Sequence, residues 1–270
     1  MPADTELSRR RFIRLAAAAG LMAGPGTRQA WSEQPAADER AHRPLIRLPA
    51  LTSNGARVPI VVDVPHAMQP DHRIVALEVV NPSDPVPLKG TFQFSAANGR
   101  AHVAFQARLD EGPSTVSATA ECGRHGRFAT TAPVTVAAGG GGCAGGPPSA
   151  VVLGRDELRP PVIRIPQLVA EGVIRRDDVI DVQVKTKHPN RTGLARRDGQ
   201  FVRDSEPFHL REMLVFYGDE IVSRFLLTAA LSDNPLISFK LRAREEASLR
   251  VTLTNTRGQR FEATHVIRFA

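Results

Sequence analysis

The sequence predicts an all-β protein made of two antiparallel β-sandwich domains joined by a glycine- and proline-rich linker. Two observations predict the strands: apolar and polar residues alternate with a period of two after Pro44, and turn-forming residues separate the alternating segments. A third observation predicts the linker, because residues 137–158 contain too much glycine and proline to build a ladder of strands. Helix is suggested only over residues 226–231 and near Glu171.

The first 32 residues are predicted to be an export signal that is excluded from the fold. The sequence SRRRFIR at residues 8–14 precedes an apolar run at residues 15–24, which is typical of a twin-arginine signal peptide. The alternative is a basic amphipathic first helix. The run is too short to span a bilayer as a mature helix, and no other apolar run approaches that length. We therefore expect a mature protein in the bacterial periplasm, without a membrane anchor after signal removal.

Composition and charge exclude several classes of function. The chain has 270 residues, of which 42% are hydrophobic, enough to fill the cores of one large or two ordinary domains. The formal charge of +7 is not concentrated in a nucleic-acid-binding surface, because the predicted signal peptide alone carries five arginines against two acidic residues. No nucleic-acid partner is therefore predicted. No Ser-His-Asp spacing, phosphate-binding loop or carboxylate pair stands out, so no catalytic residue and no cofactor are predicted.

The predicted N-terminal domain covers residues 33–136. Val75, Leu77 and Val79 alternate with more polar neighbours, and so do Val103 and Phe105. Turns are predicted between the strands at residues 54–55, 81–85, 98–99 and 123–126. A run of short antiparallel strands of this kind usually closes as an immunoglobulin-like sandwich.

The predicted C-terminal domain covers residues 159–270 and repeats this pattern. Ile180, Val182 and Val184 share one face of a strand. Two hairpins follow, one across Gly218-Asp219 and one across residues 256–259. The second domain is therefore also predicted to be an immunoglobulin-like sandwich.

One of the two cysteines, Cys143, lies within a glycine-rich segment of the linker. We expect an exposed thiol there, because the flanking glycines provide neither apolar neighbours nor stiffness. Residues 137–143 extend roughly 23 Å at full stretch, far enough to enter a partner's cleft. No cation lies within ten residues before Cys143, so its thiol is expected to have ordinary acidity.

A disulfide between Cys122 and Cys143 is the alternative, and it suits an exported chain with an even number of cysteines. The strand that leaves the turn at residues 123–126 carries the chain about 27 Å away from Cys122, which argues against the bond. A β-sandwich binding module that contains this disulfide and is not a carrier nevertheless remains an alternative function. No metal site is predicted, because there is no Cys-x-x-Cys motif and the histidines are scattered.

Several motifs along the chain match those of a known bacterial family. They are Asn54 to Pro59 (NGARVP), Asn81-Pro82, Phe92 to Phe94 (FQF) and residues 141–146 (GGCAGG). These motifs resemble SoxY, a subunit of the bacterial sulfur carrier SoxYZ, whose arm ends in Gly-Gly-Cys-Gly-Gly. Residues 187–193 (KHPNRTG), 217–220 (YGDE) and Asn234-Pro235 resemble SoxZ in their order. The resemblance covers nearly all of residues 45–270.

The resemblance implies a carrier protein that is not itself an enzyme. Cys143 would be the covalent attachment point for sulfur intermediates, and the carrier arm would consist of Gly139, Gly140, Gly141, Gly142, Ala144, Gly145 and Gly146. The implied partners are periplasmic Sox enzymes: a cytochrome complex, a sulfate-releasing hydrolase and a sulfane dehydrogenase. Fused carriers are also associated with quinoprotein dehydrogenases, which leaves the cargo open. This chain differs from the family in Ala144 and in continuing beyond the arm, so the arm must enter a cleft as a loop.

The remaining polar candidates have structural interpretations. His265 is predicted to be a satisfied residue on an apolar strand, and His188 to make a turn or interdomain contact. His125 and His209 are predicted to be solvated. A polar loop is predicted to be solvated or to steer an anionic partner, and its charged members are Arg196, Arg197, Asp198, Arg203 and Asp204.

Overall fold

The computed structural model of the protein describes residues 37–144 and 158–270. The predicted signal peptide lies outside the described residues, and so do Gly145, Gly146 and the linker up to residue 157. Among the described residues no helix is long and apolar enough to cross a membrane.

Residues 37–144, the described N-terminal part, contain one short helix and eight strands. Its elements are α1 (Ala37–His42), β1 (Leu45–Arg47), β2 (Leu51–Thr52), β3 (Val58–Val64), β4 (Ile74–Val80), β5 (Leu88–Phe94), β6 (Ala101–Ala107), β7 (Gly112–Cys122) and β8 (Gly126–Val136). The turn predicted at Asn54-Gly55 forms a single 3-10 turn, in which the Asn54 side chain accepts a hydrogen bond from the Ala56 N–H.

Residues 158–270, the described C-terminal part, contain nine strands and one short helix. Its elements are β9 (Arg159–Arg164), α2 (Pro166–Glu171), β10 (Val179–Lys187), β11 (Leu194–Arg197), β12 (Gln200–Arg203), β13 (Leu210–Tyr217), β14 (Glu220–Leu227), β15 (Leu236–Arg242), β16 (Ser248–Asn255) and β17 (Arg260–Val266). The predicted hairpin at Gly218-Asp219 is confirmed, since Tyr217 pairs with Glu220 across it.

The all-β class is confirmed, and the strands form two large sheets and one small one. The larger sheet has nine strands in the order β17-β16-β13-β14-β5-β4-β7-β8-β2, and the smaller has six in the order β1-β3-β6-β15-β10-β9. All pairs are antiparallel except β2 with β8. Strands β11 and β12 form a separate ribbon.

Both large sheets run through the two halves of the chain. In the nine-stranded sheet β5 pairs with β14, for example Phe92 with Phe225, and in the six-stranded sheet β6 pairs with β15, for example Val103 with Phe239. The sequence predicted two sandwiches connected by a linker, whereas the structure also joins the halves by strand pairing. The apolar core is correspondingly continuous: the ring centroids of Phe92 and Phe225 are 5.2 Å apart, and those of Phe225 and Phe239 are 5.6 Å apart.

The period-two pattern predicted the strands well but failed at one segment. Strand β6 alternates between buried and half-buried residues along its length, and the core-facing residues of β10 are those predicted. Residues 226–231 are not helical, because Leu226 and Leu227 complete β14 and pair with β5. The helix suggested near Glu171 is present as α2.

Candidate functional site

Cys143 lies seven residues beyond the end of β8 and is buried. Its relative exposure is 1%, so the expectation of a thiol exposed to water is wrong for this conformation. Cys143 nevertheless lies outside the continuous apolar core that contains Cys122. Its cover comes instead from polar loops of both halves of the chain.

Backbone hydrogen bonds hold the described part of the carrier arm against two loops of the N-terminal half. The Gly55 N–H donates to the Gly140 carbonyl at 2.6 Å, and the Gly142 N–H donates to the Leu109 carbonyl at 2.8 Å. The Leu109 N–H in turn donates to the Gly55 carbonyl at 2.8 Å, so the two loops are also bonded to each other. These hydrogen bonds dock the arm. The sequence does not predict them, because the bonded residues are far apart along the chain.

The arm glycines are required by close contact as well as by flexibility. A Cβ atom on Gly142 would lie 2.2 Å from the Gly55 carbonyl oxygen and 2.3 Å from the Ala56 nitrogen. A Cβ atom on Gly140 would lie 2.6 Å from the Ser53 carbonyl oxygen. Such distances are far below van der Waals contact, so a side chain at either position is incompatible with the docked arm. From the sequence, the glycines predicted only a flexible arm and not this close backbone contact.

Arg108 connects the arm to the C-terminal half. It follows β6 directly, and its guanidinium donates to the Gly142 carbonyl at 3.0 Å and to the Asn190 carbonyl at 2.9 Å. The same guanidinium forms a salt bridge of 2.9 Å with Asp233. The Arg108 side chain is almost completely buried, so its charge-assisted hydrogen bonds to the two carbonyls are shielded from water, whereas Asp233 is 46% exposed.

The C-terminal half also contacts the cysteine itself. The Thr192 hydroxyl donates a hydrogen bond of 2.8 Å to the Cys143 carbonyl. Thr192 and Asn190 belong to the KHPNRTG segment, which sequence analysis had singled out without assigning it a contact with the arm. This segment therefore forms part of the site.

Two acidic residues, Asp110 and Glu111, lie beside the arm. The Gly139 N–H donates to the Glu111 carboxylate at 2.9 Å. Arg196 forms ion pairs with both Asp110 and Glu111, so the predicted polar loop reaches across to the N-terminal half. The hydrogen bond from Gly139 and the nearby Arg196 lower the pKa of Glu111.

A buried ion pair lies beneath the same loops. Lys89 and Asp84 form a salt bridge, with side chains that are 0% and 2% exposed. Lys89 also donates to the carbonyls of Val86 and Arg108, at 2.8 and 3.0 Å, and Asp84 accepts from the Asp110 N–H at 2.8 Å. Breaking one member of such a pair leaves an uncompensated buried charge, so this pair fixes the loops on which the arm docks.

The docked environment suppresses the acidity of the cysteine. Burial, assisted by the nearby carboxylates of Asp84 and Asp110 and opposed by Lys89 and Arg108, raises the pKa of the Cys143 thiol to about 12. The expectation of ordinary acidity is therefore wrong for the docked arm. A thiol with this pKa is almost entirely protonated at neutral pH and is a poor nucleophile in its docked position.

The alternative of a disulfide between the two cysteines is not realised. Both thiols are free. Cys122 ends β7 at the turn before β8, and Cys143 follows the opposite end of β8. The 11 residues of β8 span roughly 33 Å as a strand, which separates the two segments as the sequence had indicated.

A cluster of histidines at the β7–β8 turn is not predicted by the sequence. The prediction of a solvated His125 agrees with its exposure, but the prediction that the histidines are scattered is wrong. His42, His72, His125 and Cys122 instead place one potential metal-ligand atom each within 4.8 Å of all the others. The available signal was the Cys122-x-x-His125 spacing across a predicted turn, but the approach of His42 and His72 depends on long-range pairing.

His188, His209 and His265 lie outside this cluster. His188 is buried, its Nδ1 lies 3.2 Å from the Asn190 Oδ1, and its ring packs against Phe208. Burial lowers the pKa of His188 to about 4. His265 lies on β17 opposite Leu249 and is half-buried, but its buried Nε2 has no hydrogen-bond partner among the described residues, so it is not the satisfied residue that was predicted. His209 is half-buried rather than solvated, and this burial lowers its pKa.

Two family comparisons account for most of the chain. Residues 29–143 match the family described as "Sulfur oxidation protein SoxY", and the match ends at the docked cysteine. Residues 171–266 match the family described as "Sulphur oxidation protein SoxZ". The chain is a SoxY-SoxZ fusion. Its two domains are those of a sulfur-oxidation carrier family, which implies partnership with other Sox proteins.

Comparisons with individual proteins add no functional information about the fusion. A search of curated proteins finds no match. Among solved structures, a superoxide reductase (neelaredoxin) from Ignicoccus hospitalis, variant E23A, is 22% identical over 36% of this chain and 82% of its own, with a TM-score of 0.33. A putative superoxide reductase from Thermotoga maritima is 24% identical over 36% of this chain and 86% of its own, with a TM-score of 0.31. These values are too low to support an argument.

Proposed function

We propose that the protein carries sulfur intermediates covalently on Cys143 and that the docked arm is its resting state. The observation that carries this proposal is the position of Cys143: it ends the SoxY match, on a glycine arm held by polar contacts outside the apolar core. A buried, protonated thiol cannot be loaded while it is docked. The carrier cycle therefore requires the arm to leave its site.

The docking contacts suit a reversible arm. They comprise a few backbone hydrogen bonds, the Arg108 and Thr192 contacts and one apolar side chain of small size, that of Cys143 itself. A net hydrogen bond contributes only about 0.5–1.5 kcal/mol, so the sum is small compared with the stability of a packed core. Release would restore an ordinary thiol acidity, near pKa 8.5, and make the thiolate accessible.

The loading chemistry on Cys143 would follow that of the family. Oxidative attachment of thiosulfate joins the cysteine sulfur to the outer sulfur of thiosulfate, releases the thiol proton and passes two electrons to a cytochrome partner. Hydrolysis then consumes one water and releases sulfate and two protons, which leaves a persulfide anion on the cysteine. The chain itself contributes the attachment atom and its protection between steps, and the partner enzymes contribute the catalysis.

The proposal places the protein in the periplasm, reached by the twin-arginine route. The support is the SRRRFIR segment followed by an apolar run in the sequence. The partners proposed here, a cytochrome complex, a sulfate-releasing hydrolase and a sulfane dehydrogenase, act in that compartment in the related systems.

Peptide mass spectrometry of protein purified from cells grown on thiosulfate tests the proposal. We expect thiosulfate or persulfide adducts on the peptide that contains Cys143. The variant Cys143→Ser should lose them, and Cys122→Ser should keep them as the matched control. An unmodified Cys143 peptide from thiosulfate-oxidising cells, or adducts confined to Cys122, would contradict the proposal.

A further inference from the structure

A cluster of four histidines and one cysteine lies at the β7–β8 turn, around Cys122. His42 ends α1, His66 and His72 flank the loop between β3 and β4, and Cys122 and His125 flank the tip of the β7–β8 hairpin. Three separate segments of the chain therefore supply these side chains. His42, His66 and Cys122 are buried, whereas His125 is exposed, so the cluster lies at the surface with a buried base.

The histidine nitrogens converge on a common point. The Nε2 of His72 lies 3.1 Å from the Nε2 of His66, 3.2 Å from the Nδ1 of His125 and 3.4 Å from the Nε2 of His42. The Nδ1 of His125 lies 3.0 Å from the Nε2 of His42. Two nitrogens bound to one metal ion at about 2.0–2.1 Å lie roughly 2.9–3.4 Å apart when the angle at the metal is between a right angle and a tetrahedral one. The observed spacings fall in this interval.

Hydrogen bonding alone does not explain so many ring nitrogens facing one another. One imidazole nitrogen offers either a single N–H or a single lone pair, so one of the three contacts of His72 Nε2 can be a well-formed hydrogen bond. A cation at the centre would instead accept a lone pair from every ring. The Sγ of Cys122 belongs to the same group, since it lies within 4.8 Å of the ligand atoms of His42, His72 and His125.

The neighbouring contacts hold the three segments in place. The Gly123 N–H donates to the Arg73 carbonyl at 3.1 Å, which joins the hairpin tip to the segment after His72. The Gln69 N–H donates to the His72 carbonyl at 3.0 Å and closes the intervening loop. The ring of Phe128 stacks on that of His42, with centroids 4.8 Å apart. The donor atoms are thus positioned by backbone bonds and packing.

The donor set determines the class of ion. Imidazole and thiolate are ligands for transition metals such as Zn²⁺, Fe²⁺, Co²⁺ and Cu²⁺, whereas Mg²⁺ and Ca²⁺ require oxygen ligands. We propose that His42, His72, Cys122 and His125 bind one divalent first-row transition metal ion, with His66 beside them as a further donor. This site is separate from the arm site and independent of the proposed carrier function, because the two lie beyond opposite ends of β8.

Cobalt binding to the full-length protein tests the site. Chelator-treated, reduced protein is titrated with Co²⁺ without air, since Co²⁺ bound to a thiolate gives a sulfur-to-metal charge-transfer band in the near ultraviolet. We expect one Co²⁺ per chain with this band. Zn²⁺ should displace Co²⁺ and Mg²⁺ should not. Cys122→Ser should abolish the band, and His125→Gln should weaken binding about tenfold or more. Because His125 is exposed, its substitution is expected to leave the fold intact.

Matched variants separate this site from other thiols and histidines. Cys143→Ser should keep the charge-transfer band, and His265→Gln should keep the wild-type affinity. Metal should raise the melting temperature of the wild type more than that of His125→Gln, because an ion held by three segments binds only the folded chain. Absence of stoichiometric binding in the wild type would overturn the proposal, and so would a band that survives Cys122→Ser or disappears in Cys143→Ser.

Discussion

Arg108 joins three parts of the molecule at a single side chain. Its guanidinium contacts the arm at Gly142 and the C-terminal half at Asn190 and Asp233. The sequence gives no indication of this role, because Arg108 continues the polar face of a strand with ordinary alternation. Its partners are between 34 and 125 residues away along the chain, so only the fold reveals them.

Replacement of Arg108 should release the arm. In Arg108→Met the side chain keeps its length but loses its hydrogen bonds, and a hydrogen bond to a charged group contributes about 1.5–3 kcal/mol. We expect alkylation of Cys143 by iodoacetamide to accelerate by roughly ten- to a hundredfold, measured by peptide mass spectrometry at neutral pH. Arg197→Met removes an exposed ion pair with Asp204 and is the control, which should label at the wild-type rate. Equal labelling of the three proteins would count against the role assigned to Arg108.

The pKa of Cys143 predicts a particular pH dependence. The docked thiol has a pKa of about 12, raised from 9.0, so docking stabilises the protonated form. The contribution of the protonated thiol to docking is fully present below pH 9 and is lost as the pH rises toward 12. Alkylation of the wild type should therefore keep rising through pH 10, about tenfold per pH unit. A plateau near pH 9 in the wild type would show that the arm is mostly undocked at rest, which would contradict the docked resting state.

At the level of elements, the strands were predictable and the docking of the arm was not. Alternation along β6 and β10 reports directly which residues face the core, since successive side chains point to opposite faces. Residues 226–231 were misassigned because a short apolar run does not distinguish a buried strand from a helix. Gly142 could be identified as flexible from the sequence, whereas its contact with Gly55 depends on loops more than 80 residues apart.

The fit of Gly142 against Gly55 predicts the effect of a single methyl group. In Gly142→Ala the new Cβ would lie 2.2 Å from a backbone oxygen, so the arm must undock. We expect faster alkylation of Cys143 than in the wild type, with a plateau near pH 9, and little change in melting temperature. Gly172→Ala is the control: Gly172 has a φ of +75°, so alanine costs about 1–2 kcal/mol there, but it caps the end of α2 and its Cβ would meet no atom of the described residues within 4 Å. If the control labels as fast as Gly142→Ala, general destabilisation rather than undocking is responsible.

At the scale of the whole molecule, the fusion forms continuous sheets from its two halves. Strand β5 could have been predicted to be a strand from its sequence, but its partner β14 could not, because period-two patterns do not encode which edges pair. The joining of the two halves also creates the docking site of the arm. The C-terminal half contributes Asn190, Thr192 and Asp233 to the docking site, so the site exists only while the halves stay joined.

The paired sheets predict that the halves stay together after the linker is cut. A protease site inserted after Pro148 separates the chain into two fragments without removing any described strand. We expect the fragments to co-elute in size-exclusion chromatography, held by the β5–β14 and β6–β15 pairs and by the phenylalanine core. Phe225→Ala should weaken this association, since Phe225 is fully buried between Phe92 and Phe239 and its truncation costs about 3–5 kcal/mol. Phe201→Ala, on the β11–β12 ribbon, is the control and should leave the fragments associated. Separation of the wild-type fragments at micromolar concentration would mean that the linker, rather than the sheets, keeps the two halves in contact.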